Sequence, residues 1–580
     1  MSISANYTPD RNAILVPPWT VVQLSQRDVS KQIPINYVAH PGVYVTSACF
    51  GNKIYEEQAM VKCISNLLAL DNRRFHVDLY WSADHHRWIF CPVAVNSNAP
   101  APPAATETSV PGQSASLLAN VGSYSCSPSL DLSVFLSLLK KYFWTTDDTL
   151  NAHMLYIILN VHFAAVDSPG KPRSPPAPNQ LPSDRELLGS LFNEVLEPYM
   201  YTPKQLQNER ANLNRSWYSV PRYSHPISEY FTTHRDSKGD HSTLDGWPCE
   251  SYVERRRLKR FLVGWGIVDP QMAGYNFAGD RDLIFPGGSL AESKNVEISN
   301  DSDGSDGPLI KSGCLFDPNS TDVHRLSASW PESTVVERHD SDSIPSLSSE
   351  LIACGISPII NATLSNVTAD EDFKPYQNAA QSSSWAWAQI EPNPYDPPTD
   401  LLLSNLRCAR ADASFKGRWL PTECSDDLYG ACRVENEPFQ WTLTRKRLSY
   451  GSVAGDCPEN STFSVPRTSL ESTYLYHYIT SLPKDIINPS SEDYGARSVW
   501  IDLNSLDVPT CWVSGGPNAQ CPYEVDENAV QRRTVLVPTI AAIIVLVIAA
   551  LTIFVKCNAN RRNSRRKRVI EGWEYEGVPS

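Results

Sequence analysis

The chain has 580 residues, enough for two or three domains, and a formal net charge of −14. Residues 556–580 contain seven basic and three acidic residues, a net charge of +4, so residues 1–555 carry −18. Such an acidic chain lacks the basic face that binds phosphate backbones, so we expect no direct nucleic-acid partner. Fourteen cysteines without a C-x-x-C pair are atypical of a zinc or redox dithiol site and favour disulfide bonds in an oxidising compartment.

Strand and helix patterns alternate along the first part of the chain. GVYVTSACF (42–50) is typical of a strand, residues 56–70 place apolar side chains on one helical face, and RFHVDLYWS (74–82) alternates apolar and polar residues. A strand, a helix and a strand in this order form a βαβ unit with parallel strands. Further strands are predicted at 154–164 and 260–266. Because only five or six strands are convincing, periodicity alone predicts the α/β class and not a complete eight-stranded barrel.

Two polar stretches interrupt these patterns. Residues 94–117 are rich in Ala, Pro, Ser and Thr without an apolar period, so we expect an insertion that has no regular structure. Residues 293–345 begin with the acidic SKNVEISNDSDGSDGP and predict a linker, since its aspartates lack the later Glu of a calcium-binding loop. The sequence therefore predicts a first domain at 1–292, a linker at 293–345 and a second domain at 346–525.

The segment SQRDVS and the strand V-D-L-Y-W resemble a degenerate (β/α) barrel of the phosphatidylinositol phospholipase type. That family uses two histidines as base and acid on a phosphodiester, because proton transfer needs a group that titrates near neutrality. The resemblance places Gln26 at the position of the first histidine, Asp78 at the strand acid and His162 at the second histidine. Since glutamine cannot take up a proton, we expect no phosphodiesterase activity. The alternative interpretation of Asp78 and His162 is that they are satisfied polar residues at strand ends.

The second domain resembles a C-type lectin-like domain of the α+β class. SSSWAWAQIEPNP (382–394) is followed by Cys408, GRW, Cys424 and Cys432 in the order of that fold. The resemblance implies a disulfide between Cys408 and Cys424 and another that joins Cys432 to an upstream cysteine, for which Cys354 is the best candidate.

A calcium site of the lectin type should be absent. Calcium needs about six to eight oxygen ligands. Glu391 and Asn393 remain from the first ligand motif of that family, but the second motif is Trp419-Leu420-Pro421, whose side chains carry no oxygen. We therefore expect no metal and no cofactor, and contact with a protein rather than calcium-dependent sugar binding.

Further cysteines and asparagines favour the secretory pathway. Cys511 and Cys521 flank a Ser-Gly-Gly-Pro-Asn turn, which predicts a local disulfide. Seven N-x-S/T sequons predict N-glycosylation in a secreted or luminal chain. The sequons lie at Asn6, Asn214, Asn300, Asn319, Asn361, Asn366 and Asn460.

Residues 534–555 contain 22 residues without a charge and predict a transmembrane helix. Seven basic residues follow at 556–568, so residues 556–580 should form a basic cytosolic tail, with the preceding chain luminal or extracellular as in a type I protein. Residues 1–30 show no apolar run of signal-peptide length. Two alternatives remain: the sequence lacks its true start, or the protein is tail-anchored. The cysteines, sequons and basic tail favour the first.

Several phrases together resemble the fungal maintenance of telomere capping protein 6 family. They are QLSQRDVSKQIPINYV, GVYVTSACFGNKIYEEQAMVKCISNLLAL, GWGIVDPQMAGYN, VPRTSLESTYLY and VWIDLNSLDVPTCWVSGGPNAQCPY. The resemblance implies a single-pass membrane glycoprotein with a barrel-like and a lectin-like domain, and an indirect link to telomere capping. The first hypothesis is therefore a non-enzymatic glycoprotein of the secretory pathway. The alternatives are a lectin-like receptor for a luminal or extracellular glycan or protein, and a phosphodiesterase.

Overall fold

The computed structural model describes most of the chain. The described residues are 5–93, 118–165, 176–299, 309–326, 330–336, 343–392, 405–523, 542–557, 569–570 and 573–574. The chain divides into two compact units, Met1–Cys521 and Pro522–Ser580, and each is described by itself. The predicted insertion at 94–117 lies outside the described residues.

The strands of the first unit, in chain order, are β1 (Gly42–Tyr44), β2 (Ile54–Tyr55), β3 (Arg74–Ser82), β4 (Arg87–Ile89), β5 (Ala119–Val121), β6 (Tyr124–Cys126), β7 (Leu155–Phe163), β8 (His234–Arg235), β9 (His241–Ser242), β10 (Phe261–Val268), β11 (Glu292–Ser293), β12 (Glu297–Ser299), β13 (Leu309–Ser312), β14 (Pro331–Val335), β15 (Ser357–Ile360), β16 (Leu406–Asp412), β17 (Arg418–Glu423), β18 (Tyr429–Val434), β19 (Trp441–Leu443), β20 (Ser461–Phe463) and β21 (Ser498–Asn504). The helices are α1 (Trp19–Ser30), α2 (Val45–Phe50), α3 (Glu57–Ala69), α4 (Leu132–Thr145), α5 (Leu188–Leu196), α6 (Pro203–Ala211), α7 (Glu250–Arg255), α8 (Phe277–Asp280), α9 (Ser343–Ala353), α10 (Lys374–Ser382), α11 (Tyr450–Val453), α12 (Ser469–Ser481) and α13 (Tyr494–Arg497).

A parallel sheet organises the first part of this unit. Its strand order is β10-β7-β3-β1-β15-β14-β11, and β4 adds to β3 in antiparallel orientation. The sheet grows from β1 through β3, β7 and β10, and the later strands return on the other side until β15 pairs with β1. A (β/α) barrel has this order, because its eighth strand pairs with its first. In the described part of the chain the ladder stays open between β10 and β11, so the fold is a partial barrel.

The parallel sheet extends beyond the predicted domain boundary at residue 292. β14 lies within the stretch 293–345 that composition predicted as a linker, α9 crosses the end of that stretch, and β15 and α10 lie within the predicted second domain at 346–525. The parallel sheet therefore crosses both predicted boundaries. The physical reason is that β14 and β15 are short strands in a polar, Ser-rich context, so their sequences show little periodicity. Their place in the sheet depends on tertiary pairing, in which Ile359 and Ile360 of β15 pair with β1.

A mixed sheet forms the second part of the unit. Its order is β17-β16-β21-β18-β19, with β20 also paired to β18; β18 and β21 are parallel, and the other pairs are antiparallel. Trp387 makes an isolated bridge to Trp419 of β17, so the W-A-W segment borders this sheet. The rings of Trp387 and Trp512 pack with centroids 4.6 Å apart, which places these aromatic side chains in the core as expected from their apolar area.

Helix α1 joins the barrel to the mixed sheet. Gln26 Oε1 accepts hydrogen bonds from the backbone N–H groups of Trp385 (2.8 Å) and Ala386 (2.9 Å). Ser25 Oγ accepts from Nε1 of Trp387 at 2.9 Å. All of these polar groups are buried, where a satisfied hydrogen bond is strongly preferred to an unmade one. The barrel and the mixed sheet therefore pack as one unit.

The C-terminal unit contains a helix over 542–557 and a short antiparallel pair, β22 (Val569–Ile570) and β23 (Trp573–Glu574). The first eight residues of the predicted transmembrane segment 534–555 lie outside the described residues, as does most of the predicted tail at 556–580. Among the helices that the structure describes, none has the length and apolar content needed to span a membrane.

We expect Gly42→Ala to destabilise the parallel sheet. A Cβ at Gly42 would lie 2.6 Å from Arg74 Cβ, 2.7 Å from the Arg74 carbonyl oxygen and 2.8 Å from Ile359 Cδ1, so strands on both sides would have to move. Overpacking of this kind costs about 1–3 kcal/mol. Gly451→Ala is the control, because no atom lies within 4 Å of its added Cβ. Thermal unfolding of the full chain should show a lower midpoint for Gly42→Ala alone, and equal midpoints for both variants would contradict the pairing of β1.

Candidate functional site

Polar side chains from four strands meet at the carboxyl edge of the parallel sheet. Thr46 follows β1, Asp78 lies on β3, Asn160 and His162 lie on β7, and Asp269 follows β10. Asp78 stands beside Asn160 in the register of β3 and β7. The carboxyl ends of parallel strands meet at one edge, and barrel enzymes place their active sites there. We call these five residues the carboxyl-edge cluster.

Asp78 is the acceptor at the centre of this cluster. Its Oδ2 accepts from Thr46 Oγ1 at 2.5 Å, and its Oδ1 accepts from Asn160 Nδ2 at 2.8 Å and lies 3.4 Å from Nε2 of His162. Burial alone would raise the pKa of Asp78, but the hydrogen bonds from His162, Thr46 and Asn160 outweigh burial and lower it. Asp78 is therefore a carboxylate at neutral pH.

His162 lies between two carboxylates. Its Nδ1 is 2.9 Å from Asp269 Oδ2, and its Nε2 faces Asp78. Burial would lower the pKa of His162, but the hydrogen bonds to Asp78 and Asp269 raise it above its ordinary value. The ring also stacks on Tyr80, with centroids 4.8 Å apart. Protonated His162 then donates one hydrogen bond from each ring nitrogen, one to each carboxylate.

In this geometry His162 binds a proton, and neither of its ring nitrogens is free to act as a base. A general base needs an available lone pair within reach of the substrate. Both nitrogens of His162 face carboxylates, and the Thr46 hydroxyl donates to Asp78. The cluster therefore ties β1, β3, β7 and the segment after β10 together through charge-assisted hydrogen bonds.

Gln26 lies at the opposite edge of the sheet from Asp78 and His162. It lines a cavity together with His40 and Arg73, which lie just before β1 and β3, so α1 covers the amino edge. The placement of Gln26 at the first histidine of a phospholipase-type site is therefore wrong. Thr46 is the cluster residue that follows the first barrel strand, because β1 ends at Tyr44 and α2 begins at once, where the sequence predicted one strand over 42–50.

The sequence patterns did not indicate Thr46, Asn160 or Asp269 as members of the cluster. The alternation in β7 could have indicated Asn160, since it lies two residues before His162 and faces the same side of the strand. Gly266 leaves room for it, because a Cβ there would lie 2.3 Å from Asn160 Oδ1. Asp269 comes directly after β10, as expected of a side chain at the carboxyl edge.

A buried ion pair lies below the cluster inside the barrel. Arg74 Nη2 donates to Glu332 Oε2 at 2.8 Å, and His76 Nε2 lies 3.1 Å from the same oxygen. Burial opposes ionisation of Glu332, but the hydrogen bond and charge of His76 and the Arg74 guanidinium lower its pKa to about 2. The barrel interior is therefore polar where branched apolar residues are usual.

The structure contains six disulfides. They are Cys49–Cys63, Cys91–Cys126, Cys314–Cys354, Cys408–Cys424, Cys432–Cys457 and Cys511–Cys521. The pairs Cys408–Cys424 and Cys511–Cys521 are those expected from the sequence. The pairing of Cys354 with Cys432 is wrong, because Cys354 follows α9 of the barrel and Cys432 lies on β18 of the mixed sheet. Cys249 is a buried free thiol and Cys557 an exposed one.

Five of the predicted sequon asparagines are exposed: Asn6, Asn214, Asn319, Asn366 and Asn460. Asn361 is half-buried and its Oδ1 accepts from Ser47 Oγ at 2.6 Å. Asn300 lies outside the described residues. The exposed asparagines are accessible to carry glycans in the folded chain.

The remnant of the lectin motif falls at the border of the mixed sheet. Glu391 is half-buried there, and Asn393 lies outside the described residues. Leu420 and Pro421 lie in the middle of β17 and pair with Arg410 and Ala409 of β16. In the described part of the chain, no group of three or more His, Cys, Asp or Glu side chains is arranged to hold a metal ion.

The fold and the cysteines define a class of protein: a disulfide-rich chain built from a partial (β/α) barrel and a mixed sheet. Residues 19–385 match the family model described as the MTC6 partial TIM-barrel domain. The chain therefore belongs to the MTC6 family, as the sequence phrases predicted. The match ends at Trp385, where the chain passes from the barrel to the mixed sheet.

Similar proteins cover nearly the whole chain. Proteins named Maintenance of telomere capping protein 6 are 25% identical over 590 residues in Meyerozyma guilliermondii (97% of this chain, 94% of the relative) and 25% identical over 653 residues in Yarrowia lipolytica (96% and 90%). The protein of that name in Lachancea thermotolerans is 26% identical over 572 residues (96% and 93%). The comparison with solved structures gave no match.

We expect Asp78→Ala to destabilise the chain more than Asp269→Ala. Removing Asp78 leaves Thr46, Asn160 and His162 without their shared acceptor, and Asn160 is only 1% exposed. Each unsatisfied buried donor costs about 1–3 kcal/mol. Asp269 serves only His162 in this cluster and its side chain is 39% exposed, so its loss should cost about 1 kcal/mol. Denaturant unfolding measures both, and a larger cost for Asp269→Ala would contradict the central role of Asp78.

Proposed function

We propose that the chain is a non-enzymatic, single-pass type I membrane glycoprotein of the secretory pathway that contributes indirectly to telomere capping. The observation that carries this proposal is the set of six disulfides within residues 49–521, which leaves Cys249 as the free cysteine of that part of the chain. Disulfides in this number form and persist in oxidising compartments and are rare in the cytosol.

Two further features support the membrane topology. The exposed sequon asparagines are accessible to luminal glycosylation, and residues 534–555 carry no charge over a length sufficient for a bilayer core of about 30 Å. The basic residues after this segment favour a cytosolic tail under the positive-inside rule.

The carboxyl-edge cluster supports a non-enzymatic role. Phosphodiester cleavage of the phospholipase type needs a base and an acid on either side of the substrate. His162 is held between Asp78 and Asp269, and Gln26 lies at the opposite edge of the sheet, where it accepts hydrogen bonds from the backbone of Trp385. The cluster acts as a structural tie of the strand ends.

The link to telomere capping passes through another cellular process. Relatives carry that function in their name, but residues 1–555 have a net charge of −18, which disfavours contact with the phosphate backbone. A luminal domain is also separated from telomeric DNA by a membrane. We therefore propose that the protein acts on membrane or secretory homeostasis, on which capping depends.

Protein contact is the role that we propose for the mixed sheet. The lectin-like alternative rests on Glu391 and Asn393, the first half of a calcium-binding motif. Leu420 and Pro421 replace the second half, and their side chains contain no oxygen that could bind a cation. Both residues lie within the β17 ladder. Because the calcium-binding motif is incomplete, we propose that the mixed sheet binds a luminal or extracellular protein and not a glycan through calcium.

Topology is tested with the native protein and an epitope tag at Ser580. Glycosidase treatment should increase gel mobility, and Asn460→Gln should remove one glycan, because Asn460 is exposed. Asn488→Gln is the matched control, since Pro489 follows Asn488 and the site is not a sequon. The tag should be accessible from the cytosol. An unglycosylated protein whose residues 1–533 are digested by cytosolic protease would contradict the proposal and support tail-anchoring.

The non-enzymatic role is tested by complementation. His162→Gln removes a titratable ring but keeps a side chain that can hydrogen-bond Asp78 or Asp269. Cells that depend on this protein for telomere capping should grow normally with the variant. Protein level and glycoform serve as the control for folding. Loss of capping with a normally folded and glycosylated variant would favour the phosphodiesterase alternative.

A further inference from the structure

A cavity lies between the amino edge of the barrel and the start of the mixed sheet. It is a small cavity of about 30 Å³ that opens to solvent. Its walls combine Gln26 of α1, Arg73 before β3, Glu250 of α7 and Trp385 of the W-A-W segment. The cavity therefore stands where three parts of the fold meet, and the carboxyl-edge cluster does not contribute to it.

Glu250 is the poorly compensated charge in this cavity. Its side chain is nine-tenths buried, and its Oε1 has no hydrogen-bond partner among the described residues. The closest cationic atom is Arg73 Nη1 at 3.8 Å. The guanidinium of Arg73 mainly neutralises another carboxylate, because its Nε and Nη2 donate to Asp71 at 2.8 and 3.4 Å. Its Nη2 also lies 2.8 Å from Nδ1 of His153.

The other charged groups around Glu250 do not neutralise it. Arg27 of α1 donates to the carbonyl groups of Thr149 and Ala152, and Glu254, one turn along α7, adds a like charge. The groups facing Glu250 are Arg27 on α1, His40 before β1, Asp71 and Arg73 before β3, His153 and Tyr156 at the start of β7, and Glu254 on its own helix. Burial, followed by the nearby arginines, lowers the pKa of His40 and of His153, so both rings are neutral.

Burial raises the pKa of Glu250 to about 7, with Glu254 adding to the rise and Arg73 opposing it. A carboxyl whose pKa is higher in the folded chain than its ordinary value of 4.5 binds a proton more tightly when folded. The stability that this proton provides is complete below about pH 4.5 and is lost as the pH rises through about 7.

We infer that protonation of Glu250, as the pH falls from neutral, removes a poorly compensated buried charge and thereby stabilises the junction of α1, α7 and the mixed sheet. The backbone carries this effect along α1. Ser251 N–H donates to the Lys31 carbonyl at the end of α1 (3.0 Å), and Gln26 of the same helix holds the backbone N–H groups of Trp385 and Ala386. Protonation of Glu250 occurs in any compartment that acidifies. The inference therefore does not depend on the membrane topology or on any role in capping.

Thermal unfolding of the full-length protein in detergent tests this inference with Glu250→Gln. Between about pH 8 and about pH 5 the wild-type midpoint should rise, corresponding to roughly a hundredfold change in the unfolding constant, and the variant should lack this component. Glu194→Gln on the exposed face of α5 is the matched control and should follow the wild type. His162 adds a dependence of the same sign, but it is present in all three proteins. A Glu250→Gln variant with the full wild-type pH dependence would overturn the inference.

Hydrogen exchange locates the effect. At about pH 8 the amides of Trp385 and Ala386 should exchange several-fold faster in the wild type than in Glu250→Gln, and at about pH 5 the two proteins should agree. Equal exchange at both pH values would overturn the coupling to the mixed sheet. If Glu250→Gln does not fold, infrared difference spectra of the wild type decide. Labelling with ¹³C-glutamate separates Glu250 from buried aspartates such as Asp280 and Asp502, whose pKa values are also raised. A protonated glutamate carboxyl that persists to near pH 7 supports the inference, and one lost by about pH 5 overturns it.

Discussion

β1 has only three residues, yet both halves of the parallel sheet depend on its hydrogen bonds. It pairs with β3 on one side and with β15 on the other, so residues more than 300 positions apart in sequence become neighbours. Gly42 permits this close approach, because a side chain there would meet Arg74 and Ile359 together. The pairing of β1 with β15 closes a long loop of the chain. The entropic cost of closing that loop is offset only when the strands beyond residue 292 have joined the sheet. The barrel therefore cannot be separated from β14 and β15.

Ion pairs and buried hydrogen bonds join the barrel to the mixed sheet. Glu229 of the barrel pairs with Arg433 of β18 at 3.0 Å and with Arg467 before α12 at 3.3 Å, and Arg467 also pairs with Glu471 at 2.8 Å. Buried pairs of this kind contribute little net stability over an apolar contact, but removal of one partner is costly. Together with Gln26 they fix one arrangement of the two sheets, and the disulfides add local links within each part.

The polar interior of the barrel distinguishes this fold from an apolar barrel core. Arg74, His76 and Glu332 fill the middle of the barrel, and the carboxyl-edge cluster with Asp78 and His162 continues the polar column to its carboxyl edge. These groups satisfy one another across strands, which explains how titratable residues are tolerated in the interior. The same residue types could serve catalysis in another barrel. Here these residues form hydrogen bonds with one another across the strands.

The sequence by itself determined the family, the α/β class, the local disulfide Cys511–Cys521 and the strands β3, β7 and β10, because long periodic segments and whole phrases carry those signals. Only the tertiary structure decided that β14 and β15 belong to the barrel, since strands of five and four residues are too short to show a period in the sequence. The same holds for the cluster. Asp78 and His162 were candidates from the resemblance to a phospholipase-type barrel. The roles of Thr46 and Asp269, and the position of Gln26 at the opposite edge, depend on how the parallel strands align in space.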